Sequence, residues 1–125
     1  MSHFTSIQTQ VRDIAALRDA CSELGFEVIG TARARGYIGS HRYGDYVIKL
    51  KGPYDIALNK QPDGTFAMTT DWWDGHVEKE AGTGFGKLLQ LYAVHKASRE
   101  ARRKGYSVQR KAQNDGSIKL CIGGV

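Results

Sequence analysis

Two amphipathic helical segments, each closed by a glycine, constrain the fold more than any other feature of the sequence. In the first, Asp13 has the short acceptor side chain of a helix N-cap, and apolar residues follow it at helical spacing. These residues are Ile14, Leu17, Cys21 and Leu24. Gly25 comes next and favours the left-handed conformation that ends many helices. The sequence therefore predicts a helix between Asp13 and Gly25.

The second helical segment is longer. It is predicted to begin at Thr83 or Phe85 and to end at Lys104, where Gly105 closes it. Small and apolar residues recur along it at a spacing of four, which lets a helix lie close to a sheet. They are Leu89, Ala93, Ala97 and Ala101. We expect this stripe to face the sheet.

The remaining segments have the alternation or the β-favouring composition of strands. Strands are predicted over residues 3–10, 26–29, 46–51, 54–60, 65–70, 106–109 and 117–122. Turn sequences at residues 62–64 and 114–116 predict two hairpins. The glycine-rich residues 31–44 are predicted to form a loop. The order β-α-β-β-β-β-α-β-β indicates a single α+β domain over residues 1–125, a largely antiparallel sheet with two helices on one face.

Composition excludes several classes of protein. The chain has 125 residues, of which 41% are hydrophobic and 25% charged, so it is neither disordered nor collagen-like. No apolar run reaches the roughly 18 residues that span a membrane. Cys21 and Cys121 are wrongly spaced for a zinc knuckle, and we expect both to be free buried thiols. We therefore expect a globular protein that stays in a reducing compartment.

Six blocks of sequence, in order along nearly the whole chain, resemble one protein family. They are Met1-Ser2-His3-Phe4, Leu24-Gly25-Phe26, Tyr54-Asp55-Ile56, Asp71-Trp72-Trp73, Tyr92-Ala93-Val94-His95-Lys96, and Gly105-Tyr106-Ser107-Val108 with Asp115-Gly116-Ser117-Ile118. In these blocks the chain resembles the "hypothetical chloroplast open reading frame thirty-five" family of cyanobacteria and algal plastids. The resemblance implies no catalytic residues. It implies an accessory role, with an AAA-type ATPase as one candidate partner, in the cytoplasm, the plastid stroma or, for a divergent phage-borne copy, the cytoplasm of an infected cell.

Positive charge is concentrated on the long helix and the strand after it. Residues 87–111 hold eight lysines and arginines and one acidic residue, whereas the whole chain has a net charge of +5. We interpret these cations as a surface for an acidic protein partner. The candidate contact residues are Lys96, Arg99, Arg102 and Arg103. The alternative is that they are solvated and complement the helix dipole.

Trp72 and Trp73 are consecutive, so in an extended segment their side chains point to opposite faces and only one readily enters the core. The other is a candidate contact residue, because an exposed tryptophan tends to mark an interface.

Together with the basic helix, this pair of tryptophans leads to our main prediction. The chain is expected to be a small non-enzymatic binding or accessory protein that acts through protein contacts. Self-association is an alternative use of the same charges.

A second basic segment supports a different function. Arginine and tyrosine are interleaved with glycine at Arg33, Arg35, Tyr37 and Arg42. Stacking of bases on tyrosine and guanidinium planes is how single strands are held without sequence readout. The alternative prediction is therefore a sequence-nonspecific RNA or single-stranded nucleic-acid binder.

An enzymatic function has the weakest support. Asp71, Asp74 and His76 share one loop and have the side chains of a metal or acid-base site, but no second pairing of ligand residues accompanies them. The glycine-rich residues 82–87 lack the spacing of a phosphate-binding loop. We predict no catalytic residue, metal or cofactor.

Overall fold

The computed structural model describes residues 4–124 and confirms the α+β class and the order of the predicted elements, to which it adds two strands and a short helix. The helices are α1 (Ile14–Leu24), α2 (Glu78–Ala81) and α3 (Gly86–Arg103). The strands are β1 (Phe4–Gln8), β2 (Glu27–Ile29), β3 (Ala32–Arg35), β4 (His41–Gly44), β5 (Tyr46–Lys49), β6 (Asp55–Lys60), β7 (Phe66–Asp71), β8 (Ser107–Ala112) and β9 (Ile118–Gly123). Residue 3, where the first strand was predicted to begin, lies outside the described residues. None of the helices in residues 4–124 has the length and apolarity needed to cross a membrane.

Five strands form the central antiparallel sheet, in the order β1-β7-β6-β5-β2. Its middle is the predicted β5-β6-β7 meander. Side chains alternate between the two faces of a strand, so Ile56 and Leu58 of β6 share a face. Both are fully buried in one core with Leu17 of α1 and Leu88 of α3. This confirms that the two long helices cover the same face of the sheet.

The prediction of a loop over residues 31–44 is wrong. β3 and β4 form an antiparallel hairpin, and its side chains cover the sheet face opposite the helices. Ala34 of β3 is fully buried there against Val47 and Ala57. The alternation of alanine with exposed arginine in β3 is that of a half-buried strand, but alanine has low strand propensity. The packing of small residues against the sheet outweighs that propensity.

The ends of α1 are formed as predicted. One carboxylate oxygen of Asp13 accepts hydrogen bonds from the backbone N–H groups of Ala15 and Ala16, at 3.0 and 3.1 Å. Gly25 adopts a φ of 81°, and its N–H donates to the carbonyl of Ser22. Such capping interactions contribute about 1 kcal/mol each to helix stability.

The predicted contact face of α3 needs correction. Ala93 is exposed and Leu89 is only partly buried, whereas the larger Leu88, Leu91 and Tyr92 are buried. Burial of large side chains removes more apolar area from water than burial of alanine does. The helix is therefore rotated so that the larger residues enter the core.

β8 and β9 form the second predicted hairpin, but as a separate two-stranded ribbon that contacts α3. Ile118 of this ribbon packs against the main core. Cys121 in β9 is only partly buried, contrary to the expectation, whereas Cys21 in α1 is fully buried. Both cysteines are free thiols, as predicted.

Candidate functional site

A buried carboxylate joins the β3-β4 hairpin to the loop that follows β7. Asp71 is fully buried at the end of β7. One of its oxygens accepts a hydrogen bond from the backbone N–H of Tyr37 at 3.0 Å, and the other accepts one from the N–H of Trp73 at 2.9 Å. Hydrogen bonds to an ionised acceptor are stronger than neutral ones. Asp71 therefore fixes the backbone of both aromatic residues.

The two tryptophans separate as the sequence predicts. Trp72 points inward and packs on the buried ring of Phe85, with the ring centroids 4.7 Å apart. Trp73 is 49% exposed, and its ring meets that of Tyr37 edge to face at 5.4 Å. Ile38, at the tip of the β3-β4 hairpin, is 83% exposed. We call Tyr37, Ile38 and Trp73 the aromatic surface.

Tyr54 and His76 flank the aromatic surface. Their rings meet edge to face at 4.9 Å, and the His76 ring lies 3.7 Å from the carboxylate of Asp74. Burial raises the pKa of the Tyr54 phenol, and the nearby carboxylates of Asp71 and Asp74 raise it further. Tyr54 is therefore a neutral hydroxyl group at physiological pH.

The proposed acidic site does not converge into a metal-binding group. Both oxygens of Asp71 face backbone N–H groups, and the side chain of Asp74 is 71% exposed. In the part of the chain that the structure describes, no three His, Cys, Asp or Glu side chains are placed to hold a metal ion. Asp74 has a φ of 57°, which costs a non-glycine residue on the order of 1 kcal/mol. This tight turn follows Trp73 directly.

Arg35, one of the candidate nucleic-acid contacts, is held by a second buried carboxylate. Its backbone N–H and its guanidinium donate to Asp55 at 2.8 to 2.9 Å, and the Lys49 ammonium lies 3.3 Å from the same carboxylate. Burial opposes ionisation of Asp55, but the hydrogen bonds and charge of Arg35 hold its pKa below the usual value. This ion pair joins the hairpin to the sheet.

The other two hairpin arginines lie on aromatic rings. The Arg33 guanidinium lies 5.2 Å from the ring centroid of Tyr43 and donates to its hydroxyl at 2.8 Å. Arg42 lies 5.5 Å from the ring centroid of Phe4. Tyr43 is 55% exposed. The hairpin thus carries one exposed arginine-tyrosine stack, which is separate from the aromatic surface.

Much of the positive charge on α3 is neutralised within the chain. Arg99 forms a two-point ion pair with Asp19 of α1, and Lys96 pairs with Glu100 at 2.9 Å. These two pairs involve half of the predicted cationic contact residues. Arg102 and Arg103 are exposed, and neither side chain has an ion pair or hydrogen bond among residues 4–124. The open positive charge of the helix therefore lies at its two ends, with Lys87 in the first turn and Arg102 and Arg103 in the last.

A further ion pair, which sequence reasoning missed, ties the ribbon to α1. Glu23 accepts two hydrogen bonds from the guanidinium of Arg110 in β8, and His95 of α3 lies 2.8 Å from the same carboxylate. The hydrogen bonds from Arg110 lower the pKa of Glu23 to about 2, and the contact with His95 also lowers this pKa. Nothing local in the sequence signals this contact, because it depends on how three separate elements pack.

Comparison with known proteins identifies the family. Residues 20–121 match the family described as protein of unknown function, DUF1257. The chain belongs to the DUF1257 family. Among the curated relatives of this DUF1257 member is uncharacterised protein ycf35 of Pyropia yezoensis, 30% identical over 98% of this chain and 96% of its own length. Another is uncharacterised protein ycf35 of Cyanophora paradoxa, 28% identical with the same shares covered. These relatives confirm the resemblance to the chloroplast open-reading-frame family. No solved structure matches.

The DUF1257 match contains the whole aromatic surface and the carboxylate that fixes it. It also contains α3 and the β8-β9 hairpin, apart from the last residues of β9. Sequence reasoning singled out Tyr37 and Trp73 separately and missed Asp71 as the residue that connects them. One signal was available, since Asp71 comes at the end of the otherwise uncharged strand β7.

Proposed function

We propose that this protein is a non-enzymatic binding module that holds a protein partner at the aromatic surface. One observation carries this proposal: Asp71 fixes the backbone of Tyr37 and of Trp73, while the Trp73 ring stays half exposed. Binding by a surface that is already ordered loses less conformational entropy than binding by a mobile loop. The ordered aromatic surface is therefore suited to binding a protein partner.

The chemistry of the surface favours an apolar contact on a protein. Tryptophan and tyrosine dominate the energetics of protein interfaces, and the exposed Ile38 follows Tyr37 directly in the chain. The nearest exposed charge along the chain from Trp73 is the carboxylate of Asp74. A partner segment with an apolar side chain beside a basic one fits both features. We expect the affinity for this partner to depend only weakly on salt concentration, because burial of apolar surface supplies most of the binding free energy.

The experiment compares partner recovery by matched variants. The tagged wild-type protein is incubated with nuclease-treated lysate of a photosynthetic cell, and bound proteins are identified by mass spectrometry; an AAA-type ATPase is one candidate. The isolated partner is then titrated with the wild type, with Trp73→Ala and with Tyr43→Ala, which removes an exposed aromatic ring elsewhere. We expect Trp73→Ala to weaken binding at least tenfold, in line with losses at interface tryptophans. Equal affinity of the Trp73→Ala and Tyr43→Ala variants would overturn the proposal.

The exposed stack of Arg33 on Tyr43 favours a second candidate, binding of single-stranded nucleic acid. This candidate now depends on Arg33 and Tyr43, because Arg35 is already bonded to Asp55. Titration with a fluorescent oligouridine at two salt concentrations tests it. Binding that weakens steeply with salt and is lost in Tyr43→Ala supports it. Affinity that is the same in wild type and Tyr43→Ala contradicts it.

A further inference from the structure

The β8-β9 ribbon has open edges. Within residues 4–124, each of its strands pairs only with the other, so one edge of β9 carries backbone groups that no strand of the chain pairs. Two-stranded ribbons are marginally stable by themselves, and edge strands readily accept a further strand. A segment of another chain is able to extend the ribbon here.

The ribbon also leaves an apolar cleft against α3. Ile118, Leu120 and Ile122 alternate along one face of β9, and Ile118 packs on the main core. At the other end, Ile122 is 51% exposed and Tyr106 is 43% exposed. These two residues line a cleft of about 230 Å³ whose floor is formed by Ala97 and Ala101 of α3. We call it the ribbon cleft.

Unpaired positive charge lies at the end of α3 and on the ribbon. The exposed cations there have no ion pair or hydrogen bond from their side chains within residues 4–124. They are Arg102, Arg103 and Lys104 at the end of α3, and Lys111 and Lys119 in the ribbon. Lys104 lines the cleft together with Glu100, which is paired with Lys96. Lys111 and Lys119 are cross-strand neighbours on the ribbon face opposite Ile122. By contrast, Arg99 and Arg110 are neutralised by Asp19 and Glu23. Exposed lysines without an ion pair also lie elsewhere, such as Lys60 and Lys87, but Lys119 lies on the open-edged strand itself.

We propose that the free edge of β9 binds an extended acidic segment of a partner protein. The main chain of the segment pairs with β9, an apolar side chain enters the ribbon cleft beside Ile122, and the acidic side chains that alternate with it meet Lys119 on the other face of the ribbon. Strand addition of this kind takes its affinity from main-chain hydrogen bonds and its specificity from pockets for alternate side chains. A second copy of this chain is disfavoured, because its own cations would face these cations. The site is separate from the aromatic surface and does not depend on its function.

A designed peptide tests this proposal directly. The probe alternates valine and glutamate over about seven residues, one more than β9, and the control peptide alternates valine and lysine. Each is titrated into the full-length, isotope-labelled chain, and amide shifts are followed by NMR. We expect the acidic peptide to shift the amides of residues 118–123 and the basic peptide to leave them unchanged. Equal shifts with both peptides, or none with either, would overturn the proposal.

Substitutions then separate the contribution of the charged residues to peptide binding from that of the ribbon cleft. Lys111→Glu with Lys119→Glu should weaken binding of the acidic peptide at least tenfold. The matched control, Lys60→Glu with Lys87→Glu, makes the same change in net charge at exposed lysines outside the ribbon and should have little effect. Ile122→Ser should weaken binding without unfolding the chain, because that side chain is half exposed. Trp73→Ala should bind the peptide as the wild type does. Equal losses in the two charge variants, or self-association through β9 in sedimentation, would contradict the proposal.

Discussion

The hydroxyl oxygen of Tyr92 on α3 lies 3.1 Å from the backbone nitrogen of Asp13, the residue that caps α1. The same hydroxyl accepts the N–H of Arg12, also at 3.1 Å. Two consecutive backbone donors at the start of one helix are thus satisfied by a side chain of the other. This contact sets the position of α1 relative to α3.

Tyr92→Phe should destabilise the fold by about 1 to 2 kcal/mol, because it leaves two partly buried N–H groups without their acceptor. Urea denaturation followed by circular dichroism measures the change. Tyr106→Phe is the control, since that ring is exposed and its hydroxyl has no hydrogen bond among the described residues. Equal stability of the two variants would show that the Tyr92 hydroxyl contributes nothing.

Asp71→Asn should destabilise the fold by about 2 kcal/mol and weaken partner binding at the aromatic surface. Asparagine supplies one carbonyl oxygen, so its NH₂ group would face a backbone N–H of Tyr37 or Trp73 and leave that donor unsatisfied. Thermal unfolding measures the change in stability, and titration of the isolated partner measures the change in binding. Iodide quenching of tryptophan fluorescence in a Trp72→Phe background reports whether the Trp73 ring is still held in place. Asp74→Asn, at an exposed carboxylate in the same loop, should change stability by less than about 0.5 kcal/mol. Unchanged quenching in Asp71→Asn would argue against a fixed Trp73.

Asp55→Asn should destabilise the fold by about 3 kcal/mol. The buried carboxylate accepts from Arg35, Lys49 and the backbone N–H of Leu50. Asparagine keeps only one oxygen and places an NH₂ group against these donors, so several of them lose their acceptor. Chemical denaturation gives the magnitude, with Asp74→Asn again as the exposed control. A loss below 1 kcal/mol would mean that water replaces the carboxylate readily.

Stability should fall with acid through Glu23. Its pKa drops from the ordinary 4.5 to about 2 on folding, so its contribution is fully present above about pH 4.5 and is lost as the pH falls towards 2. Glu23→Gln should therefore flatten the dependence of the unfolding free energy on pH, by on the order of 1 kcal/mol across this window. Urea midpoints at a series of pH values measure it. Glu27→Gln, an exposed carboxylate without an ion pair among residues 4–124, should leave the profile unchanged. Parallel profiles for Glu23→Gln and the wild type would contradict the assignment.

Local sequence signals predicted the ends of α1 and the β5-β6-β7 meander. They failed where contacts between distant segments of the chain determine the structure. Asp13 and Gly25 act within one or two turns of their own positions, so the sequence around them is sufficient to place α1. The β3-β4 hairpin was missed because alanines alternating with arginines resemble a solvated loop until the sheet face that they cover is known.

The candidate site was less predictable than the fold for the same reason. The sequence predicted that only one of Trp72 and Trp73 readily enters the core, but strand geometry is not the cause, because β7 ends at Asp71 and Trp73 begins a 3₁₀ turn. The contacts of Asp71 with Tyr37, and of Arg99 with Asp19, join residues that lie far apart in the chain. No periodicity or composition of a single segment contains that information.

The unequal burial of the two cysteines makes the protein selectively reactive towards thiol reagents. Burial raises the pKa of the Cys21 thiol to about 12, so almost none of it is the nucleophilic thiolate at neutral pH. Cys121 is partly exposed in β9. A maleimide dye should therefore attach at Cys121 alone, on the strand whose open edge is proposed to bind. The natural sequence thus already contains a single labelling position for fluorescence measurements of that surface.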